Sequence, residues 1–182
     1  GVNWSASVIP GTALNYVCPS RPAYGAGRYI IIGSKAADWA DYYDPATHIA
    51  YLYTSTNGVD WAQATSNLNQ VIGSFKHYAW VPGSSGIHFS ARLQKFITAF
   101  WGNGAVATSP DGLNWTRVAT LDVSVSGSAY SEMYGVSVSG AEIAFIETPT
   151  KILMKLGVRI YQTTDGVNWT LLWTEPNIIG YR

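Results

Sequence analysis

Glu132, Glu142 and Glu147 fall in one stretch of the sequence, and Asp38, Asp41 and Asp44 in another. Two carboxylates held roughly 5 to 10 Å apart are enough to protonate a leaving group and activate a water or a nucleophile, the chemistry of glycosidic cleavage. Neither trio has a spacing that commits it to such a pair, so both read first as solvated loop and strand acids. His48, His77 and His88 lack metal-ligand spacing. The chain has no nucleophile elbow, phosphate loop or Cys-based metal motif. No catalytic residue, metal or cofactor is expected on these grounds.

Binding chemistry is better represented. Asp38-Trp39-Ala40-Asp41-Tyr42-Tyr43-Asp44-Pro45 places three acids among three aromatics in eight residues. Aromatic rings stack on the apolar C–H faces of sugars, and neighbouring carboxylates or amides fix hydroxyls. Hard cations also prefer carboxylate oxygens, but the spacing is not that of an EF-hand. Trp39, Asp41, Tyr42 and Tyr43 are therefore the leading ligand-binding candidates, because binding residues concentrate on loops held by a rigid scaffold. His88, after the Pro- and Gly-containing connection from Trp80, is a second candidate. Trp101 and Asn103, in Trp101-Gly102-Asn103-Gly104, are a third. The competing reading of each Trp is a core plug.

The elements that must position these residues follow from a repeat. Thr54 to Trp61, Thr108 to Trp115 and Gln162 to Trp169 align without gaps, and Gly1-Val2-Asn3-Trp4 is a truncated copy. Their glycines, Gly1, Gly58, Gly112 and Gly166, lie 57, 54 and 54 residues apart. Asn57-Gly58, Asp111-Gly112 and Asp165-Gly166 each predict a hairpin turn whose glycine takes positive φ. The Ser or Thr just before can fix the turn by a local hydrogen bond. Val59 and Trp61 lie two apart and are predicted on one face of a strand. Trp61, Trp115 and Trp169 then read as plugs between layers.

Strand-like runs fill the intervals. Ile49–Tyr53, Gly104–Ala107 and Val158–Tyr161 precede the signatures, and Tyr24–Gly33, Leu93–Phe100 and Val138–Ile146 occupy comparable earlier positions. About four strands per repeat, with almost no 3.6-residue periodicity, predict an all-β fold of propeller-like blades. The whole chain, 1–182, is expected to be a single domain with repeats at approximately 5–61, 62–115 and 116–169. The opening on Gly-Val-Asn-Trp suggests the C-terminal part of a longer chain.

Composition narrows the partners. Charged residues make up only 12% of the chain, and eleven basic residues balance eleven acidic ones. With no basic cluster, nucleic acid is not an expected partner. No apolar run reaches the roughly 18 residues that span a bilayer, so no membrane insertion is expected. The single Cys18 cannot form an internal disulfide.

The turn signature resembles the Asp-box turns of sialidase-type propellers, shortened by one residue because Asp or Asn abuts Gly. It is closer to the Ser-x-Asp-Gly-x-x-Trp repeats of phage tail-fibre and tailspike proteins, where a segment like Tyr24 to Gly33 typically precedes the box. In the Asp-box families the box lies away from the catalytic face, so the resemblance makes Asn57, Asp111 and Asp165 turn residues. A sialidase also needs an arginine triad, and Arg21, Arg28, Arg92, Arg117, Arg159 and Arg182 do not match one by motif position. The resemblance implies a homo-oligomer, with a trimer as default, at a virion tail or another extracellular location. The function expected from this reading is a non-enzymatic module recognising a host-surface glycan or protein receptor. A glycan-cleaving enzyme with a site shared between subunits, and a purely structural module, are the alternatives.

Overall fold

The computed structural model describes residues 18–35, 49–73, 85–100, 102–123, 143–157 and 159–174. Three antiparallel sheets follow one another along the chain. Sheet 1 contains β1 (Cys18–Pro19), β2 (Ala23–Gly25), β3 (Arg28–Lys35), β4 (Ile49–Ser55) and β5 (Ala62–Gln63). Because β1 and β2 both pair with the same neighbour, β3, they act as one interrupted edge strand. Sheet 2 contains β6 (Ser85–Ser90), β7 (Lys95–Phe100), β8 (Ala105–Ser109) and β9 (Thr116–Thr120). Sheet 3 contains β10 (Ile143–Glu147), β11 (Ile152–Leu156), β12 (Arg159–Thr163) and β13 (Thr170–Thr174). In sheets 2 and 3 the spatial order of strands is the sequence order. The helix found among the described residues is α1 (Leu68–Ile72).

The two-residue alternation of strands divides the core into two layers. Phe96 and Phe100 of β7 join Ile30, Ile32, Leu52 and Trp115 between sheets 1 and 2. Ile97 and Ala99, the intervening residues, join Ile152, Met154, Leu156 and Tyr161 between sheets 2 and 3. Sheet 2 is therefore apolar on both faces, which is why β7 and β8 read as nearly continuous apolar runs.

The signature turns are three copies of one hydrogen-bonded device. Ser109 Oγ accepts from the Gly112 amide at 2.8 Å and donates to Asp111 Oδ1 at 2.9 Å. Asp111 Oδ1 in turn accepts from the Leu113 and Asn114 amides, both at 2.8 Å. The second oxygen takes the Asn114 side-chain amide at 2.7 Å. Thr163, Asp165 and Asn168 repeat this pattern. The first turn inverts it: Asn57 caps the amides and donates its Nδ2 to Asp60 Oδ2 at 2.7 Å. Each box thus keeps one carboxylate and one carboxamide, whichever position holds which. Gly58, Gly112 and Gly166 have φ of 75°, 77° and 76°, as the turn requires. Trp115 Nε1 closes its box by donating to Gly112 O, and Trp61 does the same to Gly58 O. Trp169 Nε1 is buried without such an acceptor.

Two expectations are corrected here. The residues after each glycine do not start a strand: the turn runs on to the Trp, and pairing resumes at Ala62, Thr116 and Thr170. Capping of the two following amides by the Asp or Asn side chain makes the turn wider than a two-residue hairpin. Val59 is accordingly 54% exposed, while Trp61, two residues on, is half-buried. In the third repeat, the strand equivalent to β3 and β7 is β11, one strand later than Val138–Ile146. Tyr29, Phe96 and Ile152 pair with Ser55, Ser109 and Thr163, the box hydroxyl residues, and this shared register fixes the equivalence.

Box glycines also carry the packing between sheets. A Cβ at Gly112 would run into Ile30 Cδ1 of sheet 1, and one at Gly166 would lie 3.1 Å from Leu93 Cδ1 of sheet 2. At Gly58 the nearest atom would be the Tyr29 ring of its own sheet, at 3.5 Å. Gly112→Ala and Gly58→Ala incur the same left-handed strain of about 1–2 kcal/mol. Gly112→Ala adds overpacking of about 1–3 kcal/mol. Urea denaturation should show Gly112→Ala to be the more destabilising by at least about 1 kcal/mol; equal losses would refute this role of the box glycine.

Candidate functional site

The densest polar cluster among the described residues surrounds Glu147, at the end of β10. Its Oε1 accepts from Ser90 Oγ at 2.6 Å, and its Oε2 lies 3.2 Å from His88 Nε2. The Ala91 and Arg92 amides, in the turn joining β6 to β7, donate to the same carboxylate at 3.3 and 3.4 Å. Arg92 Nε stands 4.0 Å away and Arg92 NH1 donates to Thr164 O of the third box. The His88 ring stacks on Phe145, with centroids 5.7 Å apart. Every group except Glu147, Phe145 and Thr164 belongs to sheet 2, so the cluster ties sheets 2 and 3 together at the box end.

Its chemistry is that of a clamp. Partial burial raises the Glu147 pKa, but the hydrogen bonds from Ser90, His88 and Arg92 outweigh it, and the net shift is downward. The carboxylate is therefore ionised at neutral pH, with both oxygens engaged. It cannot serve as a general acid, which needs a raised pKa.

The other described acids are also committed. Asp111 is held well below the usual carboxylate range: desolvation pushes up, and the Asn114, Leu113 and Ser109 hydrogen bonds push down further. Asp165 is lowered by its bonds to the Asn168 and Val167 amides. Asp122 Oδ2 pairs with Arg159 at 2.9 Å, and its carbonyl accepts from Tyr161 Oη at 2.7 Å. Asp60 binds Asn57. Each described carboxylate is thus engaged in a hydrogen bond or an ion pair. No group of three or more potential metal ligands stands together among the described residues.

A cleft of ≈ 490 Å³ opens beside β4, where β5 ends after two residues. Tyr51, Gln63, Thr65, Ser66 and Asn69 contribute to its lining, an aromatic ring among neutral donors and acceptors. The early end of β5 leaves β4 without a ladder partner, and Asn69 replaces it. Its Oδ1 accepts from Ala50 N and its Nδ2 donates to Ala50 O, both at 2.8 Å. Asn67 makes the same two-way contact with the Trp115 backbone, at 2.7 and 3.0 Å. These two asparagines carry no local signature. Only the adjacency of an interrupted strand to a short Asn-containing segment hints at them.

The expected binding residues divide between described and undescribed positions. Trp39, Asp41, Tyr42, Tyr43 and Trp101 lie outside the described residues, as do His48 and His77. Asn103 is a pin: its Nδ2 donates to Ile72 O at 3.0 Å and its Oδ1 accepts from Ala105 N at 3.0 Å. His88 belongs to the Glu147 clamp. Asn103 and His88 stand at opposite ends of sheet 2, since β6 runs toward the boxes and the β7–β8 turn lies away from them. Asn57, Gly58, Trp61, Asp111, Gly112, Trp115, Asp165, Gly166 and Trp169 all lie in the box turns.

No protein-family model matches the chain, and no curated protein matches it. Solved structures do. A putative glycoside hydrolase from Parabacteroides distasonis is 13% identical, with a TM-score of 0.50, over 87% of this chain and 50% of that one. A family 117 glycoside hydrolase from the marine bacterium Zobellia galactanivorans is 14% identical, with a TM-score of 0.49, over 94% of this chain and 61% of that one. An α-L-arabinofuranosidase from Podospora anserina is 13% identical, with a TM-score of 0.46, over 89% of this chain and 48% of that one. The Parabacteroides match identifies a shared all-β fold, of which this chain spans half the partner's length.

This finding corrects the expectation of a non-enzymatic receptor-binding module. The Parabacteroides structure whose fold the chain shares is described as a putative glycoside hydrolase, so the glycan-cleaving alternative is the better supported. The lack of a linear catalytic motif argues little against it: a glycosidase needs two carboxylates, and isolated acids from separate sheets leave no contiguous pattern.

Because Glu147, Asp111 and Asp165 titrate below their unfolded values, their stabilisation is complete above about pH 5 and fades as pH falls through the folded values. Glu147→Gln should lower stability at pH 7 by about 1–3 kcal/mol. It should also flatten the loss of stability between about pH 5 and 2 in urea titrations. An unchanged acid profile would show that Glu147 is not coupled to folding.

Proposed function

We propose that this chain forms part of a glycan-cleaving enzyme built from propeller-like blades, each sheet being one blade of about 54 residues. The observation that carries this reading is the fold shared with the Parabacteroides protein described as a putative glycoside hydrolase, over 87% of the present chain. At 13% identity that likeness reaches the fold, and the step from fold to activity is the proposal.

The distribution of acids supports a working face away from the boxes. Carboxylates at the box end are consumed by turns and by the Glu147 clamp. At the opposite end stand Lys35 and Ile49, which flank residues 36–48, and Ile143, which follows 124–142. Those segments hold Asp38, Asp41, Asp44, Glu132 and Glu142 in the sequence, with Trp39, Tyr42 and Tyr43 beside the first three. Carboxylates with adjacent aromatic rings suit cleavage and stacking of a saccharide. The acid/base pair is accordingly sought among these five.

The test is the release of new reducing ends from a panel of neutral and anionic polysaccharides. Cleavage of at least one is expected. Substituting the two working acids by their amides, found by scanning Asp38, Asp41, Asp44, Glu132 and Glu142, should each lower turnover by about 10²- to 10⁴-fold. Asp122→Asn should leave turnover within a few-fold, since Asp122 is bound to Arg159. Binding to a polysaccharide without cleavage of any, or cleavage insensitive to all five substitutions, would sink the reading.

A further inference from the structure

The two interfaces between sheets obey one rule. Ile30 and Ile97 occupy the same register position, one residue beyond those that pair with the box hydroxyls Ser55 and Ser109. Both are fully buried. Each lies under the box glycine of the following sheet, Gly112 over Ile30 and Gly166 beside Ile97. The Trp of the following box is drawn into the same layer: Trp115 joins the first core cluster and Trp169 packs against the second.

Sheet 3 presents the same seat with nothing on it among the described residues. Leu153 holds the position of Ile30 and Ile97, yet it is only half-buried. It pairs with Ile146, which is 62% exposed, and on the same face Ile160 pairs with Trp173, which is 49% exposed. Ile146, Leu153, Ile160 and Trp173 thus share one face across all four strands, in two apolar pairs set diagonally, with Gln162 opposite Leu153 and Lys155 opposite Ile160.

Sheet 1 presents the complementary part. The box of Gly58 and Trp61 is built like the others, but among the described residues the atoms nearest a Cβ at Gly58 belong to Tyr29 of its own sheet. Trp61 is half-buried, with its ring 6.5 Å from Tyr29 of its own sheet. Tyr24, 4.5 Å from Tyr29, is 56% exposed. Ile31 and Tyr53, farther along this face, are buried, so the open part is the corner at the box.

We infer that the chain pairs head to tail with a second copy, the Gly58–Trp61 box of one copy seating on Leu153 of the other. The occupant follows from continuity with the two internal interfaces, which each join the same two kinds of part. Formal net charge is zero, so copies do not repel one another over distance. A head-to-tail interface closes into a ring when its rotation permits. Two copies supply six sheets, within the roughly four to eight blades of propellers, and three would supply nine. The inference concerns assembly and stands or falls apart from the proposed activity.

The test is mass in solution, by native mass spectrometry and light scattering at tens of micromolar. A mass twice the single-chain value of 19.7 kDa is expected. Leu153→Glu spoils the seat on an exposed face, and Gly58→Asn blocks the box while tolerating its positive φ. Each variant alone should be monomeric with an unchanged circular dichroism spectrum. An equimolar mixture should regain a dimer, because one intact box still meets one intact seat. Should Leu153→Glu fail to fold, Trp173→Lys probes the same face. A wild-type monomer or trimer, a dimer indifferent to these variants, or a mixture that stays monomeric overturns the inference. A monomer would leave the seat to a further box-bearing blade outside this sequence.

Discussion

The packing of the described sheets depends on a glycine whose amide is bonded to a hydroxyl and whose Cα lies against the next sheet. In each box a Ser or Thr receives that amide while an Asp or Asn caps the two that follow. The turn satisfies its own backbone donors, so it can be pressed against another sheet without leaving polar groups unpaired. The missing side chain then lets neighbouring β-layers approach. A conformational requirement, positive φ, and a packing requirement, absence of Cβ, coincide on one residue.

Around that repeated contact, different devices complete each layer. Between sheets 1 and 2 the chain inserts α1, and Asn67 binds the Trp115 backbone while Ile72 O accepts from both Asn103 and Arg117. Between sheets 2 and 3 an ionised carboxylate performs the fastening, with two hydroxyl or imidazole partners and two amides. The boxes repeat because turn geometry tolerates few alternatives. The fasteners differ because any donor set that neutralises the local backbone groups will serve. The carboxylates at the box end are in this way taken up by structural bonds.

The carboxamide–carboxylate exchange between Asn57/Asp60 and Asp111/Asn114 illustrates how much of this was legible. Both orders appear plainly in the aligned repeats, and both yield the same bond. The strand assignments were legible for β3, β4, β7, β8 and β12, whose apolar runs abut turn residues. They failed at β11. Two apolar runs, ending at Ile146 and beginning at Ile152, flank a short polar turn, and only pairing with β12 decides which is equivalent to β7. The candidate site was less legible. His88 was singled out for its loop, but its partner Glu147 lies 59 residues away.

Sequence alone determined the turn device, its period and the alternation that makes sheet 2 apolar on both faces. These depend on bonds between residues two or three apart and on a two-residue repeat, both written locally in the chain. Tertiary structure decided which groups meet: Asn67 with Trp115, Glu147 with Ser90, Gly112 with Ile30. Those contacts cross from sheet to sheet, and no local pattern records them because a buried polar or apolar group can be satisfied by many partners. The same physics separates the two parts of the functional reading. The boxes announce a scaffold in the sequence, while a pair of carboxylates becomes a site only when the sheets bring them together.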